Sequence, residues 1–159
     1  MSKAPSTNAT RLLKRLGIPY AEHLYRYEDK GGTSVSSREL GIPEHAVIKT
    51  LVMEDEKGAP MIVLMHGDLE VGTQALARRI GAKSVRPCKP ETAQRHSGCM
   101  VGGTSPFGTK KSMPVYAEAS IFDLARIYIN GGSRGFLVEL DPMDLDKALT
   151  IARVNVCLA

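Results

Sequence analysis

The residues most suited to chemistry stand together at Gly102-Gly103-Thr104-Ser105-Pro106-Phe107-Gly108-Thr109-Lys110-Lys111. Glycine lacks a Cβ, so it admits positive φ and lets a ligand approach the backbone. Proline fixes one dihedral and removes one donor, which sets the path of the loop. The remaining amides can form a concave nest for an anion or a polarised carbonyl oxygen. A nucleotide-binding P-loop is excluded. Gly103 and Gly108 have the required spacing, but Thr109-Lys110 follow in the wrong order, and Ser112-Met113-Pro114 starts no helix. A glycine-rich hairpin with a solvated Lys110-Lys111 tip is the local alternative, and the loop alone does not separate the two.

Lys49 is the second candidate. It interrupts Val47-Ile48-Lys49-Thr50-Leu51-Val52-Met53, where a period of two puts Val47, Lys49, Leu51 and Met53 on one face. A lysine in such a row guards a sheet edge, snorkels to solvent, or aims a cation into a pocket. A third segment, Gly131-Gly132-Ser133-Arg134-Gly135, either turns a hairpin or lines the same pocket.

Other chemistries find no pattern. His23, His45, His66 and His96 make no pair at helical spacing, there is no HExxH or CxxC, and no metal site is expected. No G-x-S-x-G elbow occurs, and Ser105 as a nucleophile lacks an identifiable base. Cys88, Cys99 and Cys157 are an odd, widely spaced set, which suits a reducing compartment and small buried apolar roles.

These groups need a scaffold, and the composition supplies one. The chain has 159 residues with 43% hydrophobic and 24% charged content, as expected of one soluble domain spanning residues 1–159. No apolar run approaches a membrane span, and Met1-Ser2-Lys3-Ala4-Pro5 carries no apolar signal region, so a cytoplasmic location is expected. The formal charge of +4 permits nucleic-acid binding without requiring it.

The pattern predicts helices over Thr7–Leu16, Thr73–Ile80 and from Pro90 to His96, and a capping box at Ser36-Ser37-Arg38-Glu39 whose helix ends quickly at Gly41. Strands are expected at Glu22–Tyr27, Ala46–Met53, Met61–Met65, Lys83–Arg86, Val115–Ala117, Arg126–Ile129 and Phe136–Leu140. Ile121–Leu124 reads as a short helical turn, Asn130–Ser133 as a tight turn, and Asp141-Pro142 as the start of a last helix to Arg153. The mixture reads as an α+β domain.

Taken together, Lys49-Thr50-Leu51 in a strand, Ala93-Gln94-Arg95 before Gly98, Val101 to Gly108 with its two lysines, and Asn130 to Gly135 occur in an order that resembles the YbaK family. That family comprises the freestanding relatives of the editing domain inserted in bacterial prolyl-tRNA synthetase. The resemblance extends over about residues 8–153. It implies an α+β fold with a mixed, largely antiparallel sheet and flanking helices. It implies a deacylase that hydrolyses mischarged aminoacyl-tRNA in trans, notably cysteine or alanine on proline tRNA, with prolyl-tRNA synthetase as a further partner and no cofactor. It implies Lys49, Gly102, Gly103 and Ser105 as catalytic, and Tyr25, Thr50, Thr104, Pro106, Phe107, Gly108, Gly131, Gly132 and Leu137 as substrate-binding. Two positions depart from the cysteine-clearing members. Leu137 stands where they carry an acid, and a phenylalanine they can carry near Gly32-Thr33 is missing.

The mechanism expected is oxyanion stabilisation by the Gly102–Gly108 amides, with Lys49 binding the terminal phosphate or ribose or assisting the same oxygen. The attacking group then comes from the substrate or from water, and the release is lyase-like if a substrate thiol cyclises. The alternative is a non-catalytic module that binds a nucleotide or an aminoacyl-tRNA end beside a synthetase.

Overall fold

Two apolar segments form the centre of the sheet. Val47–Asp55 (β2) and Pro60–His66 (β3) pair antiparallel from Ile48↔His66 to Glu54↔Pro60. The turn between them is closed by Gly58 N–H to the Asp55 carbonyl, and the Asp55 carboxylate accepts from Lys57 and Ala59 amides. The computed structural model describes residues 3–159 of the chain.

Around this hairpin lie β1 (Ala21–Leu24), β5 (Val85–Pro87), β6 (Val115–Glu118), β7 (Ile127–Ser133), β8 (Phe136–Leu140) and β9 (Ile151–Val154). The order is β1-β8-β7-β2-β3-β6-β9, with β5 also on β2. The sheet is mixed, as the resemblance implied. Strands β1–β8, β7–β8, β2–β3 and β2–β5 are antiparallel, while β2–β7, β3–β6 and β6–β9 are parallel. A small ribbon pairs β4 (Glu70–Val71) with β10 (Cys157–Leu158).

Strand alternation sends side chains to two cores. Ile48, Val52, Ile62, Leu64, Ile129 and Val138 pack on one face with Ala9 and Leu13 of α1 (Asn8–Arg15) and with Leu145 of α5 (Leu145–Ala148). Met53, Met61, Val63 and Met65 pack on the other with Leu76 and Ala77 of α3 (Thr73–Ile80). Strand β3 is covered on both sides, which is why its sequence is a continuous apolar run rather than an alternation. Two further helices, α2 (Gly32–Leu40) and α4 (Pro90–Ser97), pack beside β2.

Several expectations hold: a helix at α1, with Thr7 as its cap rather than its first residue, α3 closed by Gly81 at φ 77°, α4 with Pro90 in its first turn, and β8. Others need correction. The first strand stops at Leu24, and Tyr25 makes one further bond through its amide to Gly135. Ser36 does not cap a helix; it lies inside α2, which starts four residues earlier at Gly32. The Asn130–Ser133 stretch is not a tight turn but the end of β7, with a bulge between Asn130 and Ser133. Asn130 Oδ1 accepts from the Gly132 and Ser133 amides, so the side chain replaces the interrupted ladder. Finally, Asp141-Pro142 does start a helical turn, but α5 ends at Ala148, and Ile151–Val154 pairs with β6 as a strand.

Candidate functional site

The floor of the site is one row across three strands. Leu137 faces His23 on one side and Asn130 on the other. Ile48 is in register with Ile129, so Lys49, the next residue of β2, stands beside Asn130. Their neighbours Ile48, Ile129 and Val138 turn to the opposite, buried face.

One wall comes from the segment after β1 and from α2. Thr33 donates to the Glu44 carboxylate at 2.7 Å and lies 3.2 Å from the Gly67 carbonyl. Gly67 also donates to Val47 O at 2.7 Å. A Cβ on Gly67 would come within 2.6 Å of Thr33 Oγ1, so only glycine lets α2 come this close to the sheet. The other wall is the glycine loop. Gly103 N–H closes a turn to Met100 O at 2.8 Å, with Gly102 at φ 90°. Asn130 Nδ2 lies 3.4 Å from the Gly102 carbonyl.

Between the walls is a cavity of about 300 Å³. Lys49, Thr50, Val101, Gly102, Thr104, Asn130 and Leu137 line it, together with Tyr25 to Lys30 (save Arg26), the start of α2 and the start of β2. The Lys49 side chain is 18% exposed, and its Nζ lies 3.4 Å from Glu70 Oε1, a carboxylate that is 75% exposed. The cavity therefore presents the Lys49 ammonium, held by a carboxylate from outside it, opposite a glycine loop, with Glu28, Asp29 and Lys30 also on its lining. Burial, with Tyr27 nearby, pushes the Tyr25 hydroxyl above its ordinary value, so Tyr25 is a neutral phenol at physiological pH.

The sequence-predicted residues divide. Lys49, Gly102, Tyr25, Thr50, Thr104 and Leu137 line the cavity. Gly103, Ser105, Pro106, Phe107, Gly108, Gly131 and Gly132 are not on that lining. Ser105 is fully buried, and its Oγ accepts from the Phe107 amide at 3.2 Å. Phe107 itself belongs to the first core. Gly103 and Gly131 permit close packing: a Cβ would come within 2.7 Å of Arg134 N in the first and within 2.4 Å of the Phe136 ring in the second. Thr50 Oγ1 is buried with no hydrogen-bond partner, the one such side-chain atom among the described residues.

Sequence reasoning missed Tyr27, Val35, Asn130 and Glu70, whereas Gly32-Thr33, named as a departure from the family, does line the cavity. Asn130 preceding a glycine pair was the available signal; the α2 residues and Glu70 reach the site only through tertiary packing. It also did not foresee that His45, His66 and Asp68 place ligand atoms within 4.8 Å of one another. Both ring nitrogens of His66 are already engaged, Nδ1 with His45 O at 2.7 Å and Nε2 with Ser120 Oγ at 2.8 Å. The two imidazoles stack at 3.8 Å and 5°, so their lone pairs run parallel and do not converge on one ion.

Comparison with known proteins gives this geometry a family. The sequence profile described as "Aminoacyl-tRNA editing domain" matches residues 29–148. The protein named "Putative Cys-tRNA(Pro)/Cys-tRNA(Cys) deacylase EbsC" of Enterococcus faecalis is 31% identical over 137 residues, covering 86% of this chain and 84% of that one. A proline–tRNA ligase of Brachyspira hyodysenteriae is 30% identical over 84 residues, covering 53% of this chain but 14% of the ligase. The crystal structure of a protein described as "a putative trans-editing enzyme for prolyl tRNA synthetase" superposes with a TM-score of 0.82 at 19% identity, covering 98% of this chain and all of that one. Hypothetical protein APE2540 superposes at 0.87 with 20% identity, covering 96% of this chain, so the fold is shared in both cases. With the profile spanning most of the chain and the fold matching throughout, this protein belongs to the aminoacyl-tRNA editing domain family.

Proposed function

We propose that the chain is a trans-acting deacylase that hydrolyses the ester of a small amino acid on proline tRNA, with cysteine or alanine as the acyl group. The observation that carries this reading is that Lys49, Gly102 and Thr104 line one cavity of about 300 Å³. An aminoacyl ester is intrinsically reactive, so orientation and charge stabilisation supply the needed acceleration without a strong base. The loop amides hold the ester oxygen as negative charge develops on it. Lys49 binds the terminal phosphate or ribose, or the same oxygen, and the nucleophile is water or a group of the substrate. Of the remaining positions assigned by resemblance, Ser105, Gly103, Pro106, Phe107, Gly108, Gly131 and Gly132 act by shaping the backbone that the substrate meets.

The Leu137 part of the floor favours an uncharged acyl group, because Leu137 is 3% exposed and its side chain offers no hydrogen bond. Discrimination by such a wall is worth about 1–3 kcal/mol per methylene. The protein acts in the cytoplasm, on tRNA released by or bound to prolyl-tRNA synthetase. Excess proline tRNA charged with cysteine, alanine or proline, incubated with catalytic amounts of protein, tests the reading. Multiple turnovers on the small noncognate esters support it. Tight binding without released amino acid would make the chain a binding module instead.

A further inference from the structure

One cation beside the cavity has a different task from Lys49. Arg134 follows β7 in the turn to β8 and is exposed. Its Nε–H donates to Val101 O at 2.8 Å, and its guanidinium stands 5.1 Å above the Tyr27 ring. Val101 and Gly102 are the two middle residues of the turn that Gly103 N–H closes to Met100 O. A positive φ at the third residue, 90° here, is the type II form, which differs from type I by a flip of the middle peptide. Arg134 therefore grips the one peptide of the loop that has two orientations.

In a trans peptide the carbonyl and the amide point in opposite directions. Holding Val101 O on Arg134, which does not line the cavity, sends the Gly102 N–H the other way, and Gly102 does line the cavity. Among the described residues, Gly102 N–H donates to no acceptor in the protein, whereas Val101 N and Gly103 N both donate. The turn is also packed in place. A Cβ on Gly102 would come within 2.4 Å of the Tyr27 hydroxyl, and one on Gly103 within 2.7 Å of Arg134 N.

We infer that Arg134 is a positioning residue: it locks the Val101–Gly102 peptide so that the Gly102 amide stays free as a donor to the substrate oxygen. This rests on the deacylase reading, and it assigns to Arg134 a role separate from phosphate binding by a surface cation. Arg134→Lys separates the two, since lysine keeps the charge but loses the planar Nε–H fork.

The test compares wild type, Arg134→Lys and Arg134→Ala by deacylation kinetics at low and high salt, and by the NMR amide resonances of Val101 and Gly102. The expected result is a kcat lower by about tenfold or more in both variants with KM little changed, and displaced Val101 and Gly102 resonances while the remaining spectrum is retained. Wild-type kcat in Arg134→Lys, or a loss confined to KM that vanishes at low salt, would mark Arg134 as a phosphate contact and overturn the inference. If the wild type turns nothing over, the functional reading fails by itself. An unmoved Gly102 resonance in Arg134→Ala then rejects the peptide lock independently.

Discussion

Glu70 offers the sharpest test of how the cavity is charged. Its carboxylate is the partner of Lys49, 3.4 Å away, yet it lies mostly in solvent on the β4–β10 ribbon. If Lys49 serves an anionic or electron-rich part of the substrate, Glu70 competes with that substrate for the ammonium. Two unit charges 3.4 Å apart attract by about 1.2 kcal/mol in water. Exposed pairs measured in practice contribute about 0.2–1 kcal/mol, because both side chains lose freedom on pairing. Glu70→Gln keeps the shape, removes the competitor and leaves the fold untouched. It is expected to lower KM by up to about fivefold, the factor equivalent to 1 kcal/mol, with kcat nearly constant. The gain shrinks at high salt, where the pair is already screened. Initial rates against aminoacyl-tRNA concentration at two salt levels read this directly. A KM that stays fixed or rises at low salt would refute the idea that substrate and Glu70 share Lys49.

Other perturbations have equally definite outcomes. Ser105→Ala strips the acceptor from the buried Phe107 amide, so it should cost about 1–3 kcal/mol in chemical denaturation while the folded protein keeps most of its activity; a folded but inactive variant would make Ser105 a nucleophile. Thr50→Val removes a buried hydroxyl without a partner and should stabilise the free protein by about 1 kcal/mol or more; if instead stability falls, the hydroxyl is satisfied in solution. Glu139 accepts from His23 at 2.8 Å and Arg126 at 3.1 Å, and these bonds hold its carboxyl below the usual range. A lowered carboxylate stabilises the fold fully above its unfolded value of about 4.3 and loses that contribution as pH falls through the folded value. Glu139→Gln should therefore flatten the acid limb of the stability curve; an unchanged limb would remove Glu139 from that account.

How much of this was legible in the sequence depends on whether the signal is local. Helix α3 carries Gly72 and Gly81 at its ends, and the β2–β3 hairpin has its turn chemistry at Asp55 and Gly58, so both were readable. Strand β9 was not. Ile151–Val154 follows a good helix start and becomes a strand because it completes the parallel edge beside β6, a tertiary effect. Likewise Asn130-Gly131-Gly132-Ser133 has the composition of a turn, yet the Asn130 side chain caps a bulge and the reversal comes at Arg134-Gly135. For the site, Lys49 and the glycine loop stood out because their residue types conflict with plain packing. Tyr27 and Val35 are ordinary residues that the fold brings to the same cavity, and Glu70 one that it brings to Lys49 from outside.

The most direct measurement of the central claim is release of free amino acid from excess cysteinyl- or alanyl-tRNA(Pro) by wild type and Lys49→Ala, with the variant's fold checked by circular dichroism. The wild type is expected to turn over many times, and a fully folded Lys49→Ala to lose most activity. Equal rates for the two proteins would contradict it.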